Sequence, residues 1–102
     1  MTRNIAPIHP GFLLKEDFLE EMGIRPVTLA KEIGVDRAAI SKILSGKRDI
    51  TADMSLRLGL FFGQSDSFWL NLQKEYDLRV VRQEKKAQYQ KSIHLYSEQV
   101  HI

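Results

Sequence analysis

Between Thr28 and Arg48 the chain reads Thr-Leu-Ala-Lys-Glu-Ile-Gly-Val-Asp-Arg-Ala-Ala-Ile-Ser-Lys-Ile-Leu-Ser-Gly-Lys-Arg, and this pattern admits few folds. Leu29, Ala30 and Ile33 share one helical face, and Gly34 follows where a left-handed residue ends a helix without a Cβ clash. Asp36 is placed to cap a second helix, its carboxylate accepting from the free amides of the next turn. Ile40, Ile43 and Leu44 then recur at helical spacing before Gly46 stops it. The second helix is expected over residues 37–45. Two helices crossing steeply over so short a turn need a small side chain at closest approach, and Ala30 supplies it.

Ala30, Gly34 and Ile40 thus tie together a contact, a turn and a core anchor. The set resembles the helix-turn-helix of DNA-binding repressors, whose second helix enters the major groove. Facing outward from that helix, on this reading, are Arg37, Ala38, Ala39, Ser41 and Lys42, followed by the loop cations Lys47 and Arg48. With Thr28 from the first helix, these form the candidate DNA-binding set. The charge distribution agrees: residues 25–48 hold six cations against two acids, whereas residues 1–24 and 49–78 are net acidic. A positive field confined to one surface is what phosphate contact requires. The competing reading is an ordinary αα-hairpin with a solvated polar face.

Composition narrows the remaining choices. A chain of 102 residues, 43% hydrophobic and 27% charged, forms one domain with a single modest core. It has no cysteine, which excludes disulfides, thiol catalysis and thiolate metal sites. No apolar run has the length of a membrane span, and Met-Thr-Arg-Asn-Ile-Ala-Pro lacks the apolar core of a secretion signal, so a cytoplasmic location is expected. The overall charge of +2 is too small to argue for nucleic acid by itself. Glu16-Asp17 and Glu20-Glu21 are sequence neighbours on an exposed helix rather than convergent groups. With no nucleophile, metal set or phosphate-cradling loop, neither an enzyme nor a cofactor is expected.

Along the chain, residues 1–8 read as an irregular arm. A helix opens at His9-Pro10-Gly11, with Pro10 at its first position and Leu14, Phe18 and Met22 as its core stripe until Gly23. Phe12, Leu13 and Leu19 lie off that stripe and either widen the core face, the favoured reading because small domains need wide helix faces, or leave a second apolar face for a partner. His9 reads as a structural end group. Thr51 is an N-cap with Asp53 in the first turn, and Met54, Leu58, Phe61 and Phe62 pack back on the motif before Gly63. Ser65 is expected to cap a fifth helix carrying Phe68, Trp69, Leu72 and Tyr76 into the core.

These stretches in register resemble the HigA family of antitoxins over roughly residues 9–80. The matching segments are His9-Pro10-Gly11, the Ala30/Gly34/Ile40 set, Ser45-Gly46-Lys47-Arg48, Ile50-Thr51-Ala52-Asp53-Met54, and Phe68-Trp69-Leu70-Asn71-Leu72-Gln73 with Tyr76-Asp77-Leu78. The resemblance implies an all-α, five-helix lambda-repressor-like helix-turn-helix domain that forms a homodimer. It also implies two partners: double-stranded operator DNA with an inverted repeat, and a HigB-like toxin that cleaves RNA. Many relatives have polar residues where Ala38 and Ala39 stand, and alanine offers only a methyl for thymine. Specificity then leans on Arg37, Lys42 and DNA shape. The family also tends to have an acid where Phe12 stands. An interaction protein that neutralises a toxin with little DNA binding of its own is the alternative.

The expected organisation is an arm over 1–8, a DNA-binding domain over 9–78 and an extension over 79–102 for dimer or toxin contact. The extension holds five cations and two acids. Its first part reads as a solvated helix, and Ile93, Leu95, Val100 and Ile102 alternate as a short terminal strand would.

Overall fold

In the computed structural model, residues 6–97 are described. Helix α1 opens over Pro10–Leu13 and continues without a break as a π-helix over Leu14–Glu20, ending at Gly23 with φ of 68°. Helices α2 (Pro26–Ile33), α3 (Arg37–Leu44), α4 (Ala52–Phe62) and α5 (Phe68–Ser92) follow. The five-helix expectation therefore holds, and no strand occurs among the described residues. Leu14, Leu29, Ile40, Ile43, Leu58 and Trp69 are fully buried and form the centre of one core.

The π-helical stretch changes which side of α1 is wet. An i→i+5 ladder advances more slowly than an α-helix, so residues five apart share a face. Leu14 and Leu19 are both buried, and Met22, expected in the stripe, is 58% exposed. Phe18 keeps its place, half-buried and edge-on to Trp69 with ring centroids 5.0 Å apart.

Of the three expected N-caps, one forms as read from the sequence and two differ. Thr51 accepts from the Met54 amide at 3.2 Å, as its type and position suggest. Asp36 occupies the N-cap position of α3 with extended backbone but makes no side-chain cap hydrogen bond. Ser65 does not cap α5: a turn over Ser65 to Ser67 places Ser67 at the N-cap, and the Phe68 amide bonds the Ser65 carbonyl at 3.2 Å. The turn is drawn against α4 instead, where Ser55 Oγ donates to the Asp66 carbonyl at 2.6 Å and accepts from the Leu70 amide at 2.9 Å. Gly59 allows this approach, since a Cβ there would meet the Ser65 carbonyl oxygen at 2.8 Å.

Helix α5 is continuous through residue 79, and everything from Val81 onward among the described residues is exposed. With 25 residues it is about 37 Å long. It draws the molecule out to 61 × 29 × 23 Å with a radius of gyration of 18.0 Å, against about 13 Å for a compact chain of this length. The expected terminal strand is not found at Ile93 and Leu95. Ile93 is an extended C-cap, Tyr96 and Ser97 return to helical geometry, and no sheet edge exists among the described residues for a strand to join. Val100 and Ile102 lie outside the described residues.

Candidate nucleic-acid interface

The angle between α2 and α3 is set by the turn at Gly34, whose φ of 72° is the left-handed conformation that ends a helix. The Val35 amide reaches back to the Ala30 carbonyl at 2.9 Å, and Ala30, 3% exposed, lies in the contact between the two helices. Arg57 of α4 locks the turn from outside, donating from Nη1 to the Ile33 carbonyl at 2.7 Å while its Nε holds Asp53 at 2.8 Å. Sequence reasoning missed Arg57. Its i,i+4 spacing from Asp53 was visible, but not its reach to α2.

Helix α3 buries Ile40, Ile43 and Leu44 and leaves Arg37, Ala38, Ser41 and Lys42 exposed. Ala39 is the exception. At 8% exposure it belongs to the buried face, because the position next to Ile40 rotates inward where α3 meets α2, and the outward assignment of Ala39 is corrected. Thr28 is half-buried on α2.

One carbonyl gathers the start of the basic loop after α3. The oxygen of Lys42 accepts from the Lys47 amide at 2.8 Å, the Arg48 amide at 3.2 Å and Ser45 Oγ at 3.1 Å, and Gly46 makes the turn with φ of 76°. The backbone of Lys47 and Arg48 is thus pinned beside the last turn of α3. Among the described residues, Arg37, Lys42, Lys47 and Arg48 form no ion pair, so four cations stand on this surface without an acidic partner.

The start of α1 seats the same end of α3. His9 Nδ1 accepts from the Gly11 amide at 2.9 Å, which makes His9 the structural end group expected of it. Gly11 lies so close to α3 that a Cβ on it would be 1.7 Å from the Ile43 carbonyl oxygen. The pyrrolidine of Pro10 starts the helix, and the missing side chain of Gly11 lets α1 touch the α3 backbone. Phe12 is 39% exposed and shares a hollow of about 400 Å³ with Lys15, Pro26, Ser41, Leu44 and Ser45, directly beside the exposed edge of α3.

Gln73 was also missed. It is 2% exposed, accepts the Ile50 amide at 2.8 Å and donates to Asp77 at 2.9 Å, fastening the end of the basic loop to α5. A polar residue at a core position of α5 was the available signal. Among the described residues there is no group of three metal-ligating side chains, and no helix is long and apolar enough to cross a membrane.

This architecture, a short helix held proud of its partner with unpaired cations along it, defines a helix-turn-helix protein, and the helix-turn-helix family model HTH_3 matches residues 15–69. The chain is 42% identical to virulence-associated protein I of Dichelobacter nodosus, over 78% of its own length and 74% of that protein's. It is 39% identical to antitoxin HigA-1 of Vibrio cholerae, over 71% of its own length and 68% of that protein's. Among solved structures it superimposes on Pseudomonas aeruginosa antitoxin HigA with the higBA promoter, with a TM-score of 0.84 and 39% identity. That match covers 88% of this chain and 98% of the other. The chain belongs to the HigA antitoxin family of helix-turn-helix proteins.

Proposed function

We infer that this chain is a sequence-specific repressor of its own operon and the antitoxin of a HigB-like RNA-cleaving toxin. It acts in the cytoplasm as a homodimer, with no catalytic step of its own. The observation that carries the reading is the exposed ridge of α3, where Arg37, Ser41 and Lys42 stand clear of the core and the Lys47–Arg48 backbone is pinned to the Lys42 carbonyl. The relative from P. aeruginosa, solved with a promoter, supports it.

Two such ridges in a dimer enter successive major grooves, so the operator is an inverted repeat with half-sites about one helical turn, ~10 bp, apart. Arg37 and Lys42 read base edges. Ser41, Lys47 and Arg48 hold phosphates, with Thr28 at the α2 side, and Ala38 contributes methyl contact. Residues 9–78 form the DNA-binding domain, and the extension over 79–102 serves dimer or toxin contact. Leu78 and Val81, respectively 47% and 44% exposed on the projecting helix, support that division.

The test is titration of the full chain against duplex DNA from upstream of its own reading frame. The combined Arg37→Ala/Lys42→Ala variant loses that binding, and equal affinity of variant and wild type refutes the assignment of α3. One observation favours the alternative of a toxin-neutralising module with little DNA binding: Ala38, on the exposed face, carries no polar reach. That reading prevails if wild type co-purifies with the product of the neighbouring gene yet binds upstream DNA no better than unrelated DNA.

A further inference from the structure

His9 does more than cap α1. Its ring is 4% exposed and is held on three sides. Nδ1 accepts from the Gly11 amide, Tyr76 of α5 stands edge-on with ring centroids 5.1 Å apart, and the α-carbon of Gly46 lies against the histidine so closely that a Cβ there would touch its Cβ at 3.6 Å. Because Nδ1 is an acceptor, the neutral ring carries its proton on Nε2. That Nε2 is buried and has no hydrogen-bond partner, and Asp49 Oδ1 stands 3.4 Å away, beyond the usual N–H···O range. His9 therefore meets both ends of the two-cation loop: Gly46 through packing and Asp49 through an unmade hydrogen bond.

Asp49 is the acid next to Arg48, and its side chain is 68% exposed. When Lys47 and Arg48 sit on phosphates, a free carboxylate beside them is repelled by the same phosphates. Turned inward, it satisfies a buried donor that is otherwise unmet. We propose that His9 is a positioning residue for the phosphate-holding loop, and that its Nε2–H closes a hydrogen bond to Asp49 when Lys47 and Arg48 engage the DNA backbone. The proposal rests on the DNA-binding reading above. Its added content is that the imidazole sequesters the one acid of the loop.

The experiment is a double-mutant cycle on the full chain with two probes, duplex DNA from upstream of its own gene and a mixed-sequence duplex. His9→Asn keeps a capping oxygen for the Gly11 amide but has nothing at the Nε2 position. It weakens both probes about tenfold, the size expected for losing a hydrogen bond to a charged group. Asp49→Ala changes affinity little alone and restores most of the loss in the His9→Asn background. A purely structural histidine would not be rescued by removing an acid. Because His9→Asn reports only if it folds, the wild-type imidazole is also followed by one-bond ¹H–¹⁵N correlation of its ring N–H, in which the Nε2–H resonance moves downfield as DNA is added. If wild type binds DNA but Asp49→Ala has the same effect in both backgrounds, or the Nε2–H resonance stays in place, the latch is refuted and the repressor reading survives. If wild type binds neither probe, both fail together.

Discussion

Replacing Gly11 by alanine tests how α1 seats the second helix of the helix-turn-helix. On helix propensity alone the change should stabilise, since alanine is favoured over glycine by up to about 1 kcal/mol within a helix. The geometry reverses the sign. The new Cβ would lie 1.7 Å from the Ile43 carbonyl oxygen and 2.7 Å from its carbon. Ordinary contact lies near 3.4 Å. The α1 and α3 backbones must therefore separate by more than an ångström, and neither is the flexible end of a side chain that can swing away. Overpacking of this kind costs about 1–3 kcal/mol, and a backbone-to-backbone clash belongs at the upper end. After the propensity gain, about 2 kcal/mol of destabilisation remains, a fall in Tm of roughly 10 °C for a domain of this size. Gly23→Ala is the control. It has φ of 68° and nothing within 4 Å of a Cβ, so it carries only left-handed strain, about 1 kcal/mol, or roughly 5 °C. Thermal unfolding followed by circular dichroism compares them. A Tm for Gly11→Ala at or above that of Gly23→Ala refutes the claim that α1 and α3 meet backbone to backbone.

Leu19→Ala should cost about 2–5 kcal/mol and Met22→Ser less than about 0.5 kcal/mol in chemical denaturation, because the π-helical phase buries the first and exposes the second. Ala39→Leu should destabilise by about 1–3 kcal/mol while Ala38→Leu is near neutral; equal effects would return Ala39 to the outer face. Gln73→Leu leaves the Ile50 amide without its acceptor and should cost about 1–3 kcal/mol by the same measurement. Lys47→Ala should weaken all DNA sequences alike and reduce the salt slope of binding by about one unit, whereas Arg37→Ala relaxes preference at one position per half-site.

What the sequence made legible was local. Gly34, Gly46 and Gly63 each mark a helix end with positive φ, and the apolar spacing of α2 to α4 follows the regular helical period. The π-helix in α1 escaped that reading because its five-residue step needs a partner surface to reveal it, and Leu19 rather than Met22 took the core position. Ala39 escaped for a related reason. A methyl is compatible with either face, so only the closeness of α2 decides it. The long-range ties, Arg57 to the α2 carbonyls, Gln73 to Ile50 and His9 toward Asp49, span elements distant in sequence. No local pattern encodes them.

These ties converge on the α2–turn–α3 unit from three directions. Arg57 holds the turn before α3, Gly11 meets the carbonyl of Ile43 near its end, and Gln73 anchors Ile50 just beyond the basic loop. Each contact is to backbone, so each fixes where α3 and its loop lie and leaves the exposed side chains unspecified. Arg37, Ala38, Ser41 and Lys42 can therefore change with little effect on stability, while Gly11, Arg57 and Gln73 cannot. Swapping only these four outer residues for those of a relative should transfer operator preference at unchanged Tm. If the swapped chain instead unfolds more readily by several degrees, the separation between the residues that hold α3 and those that read DNA is wrong.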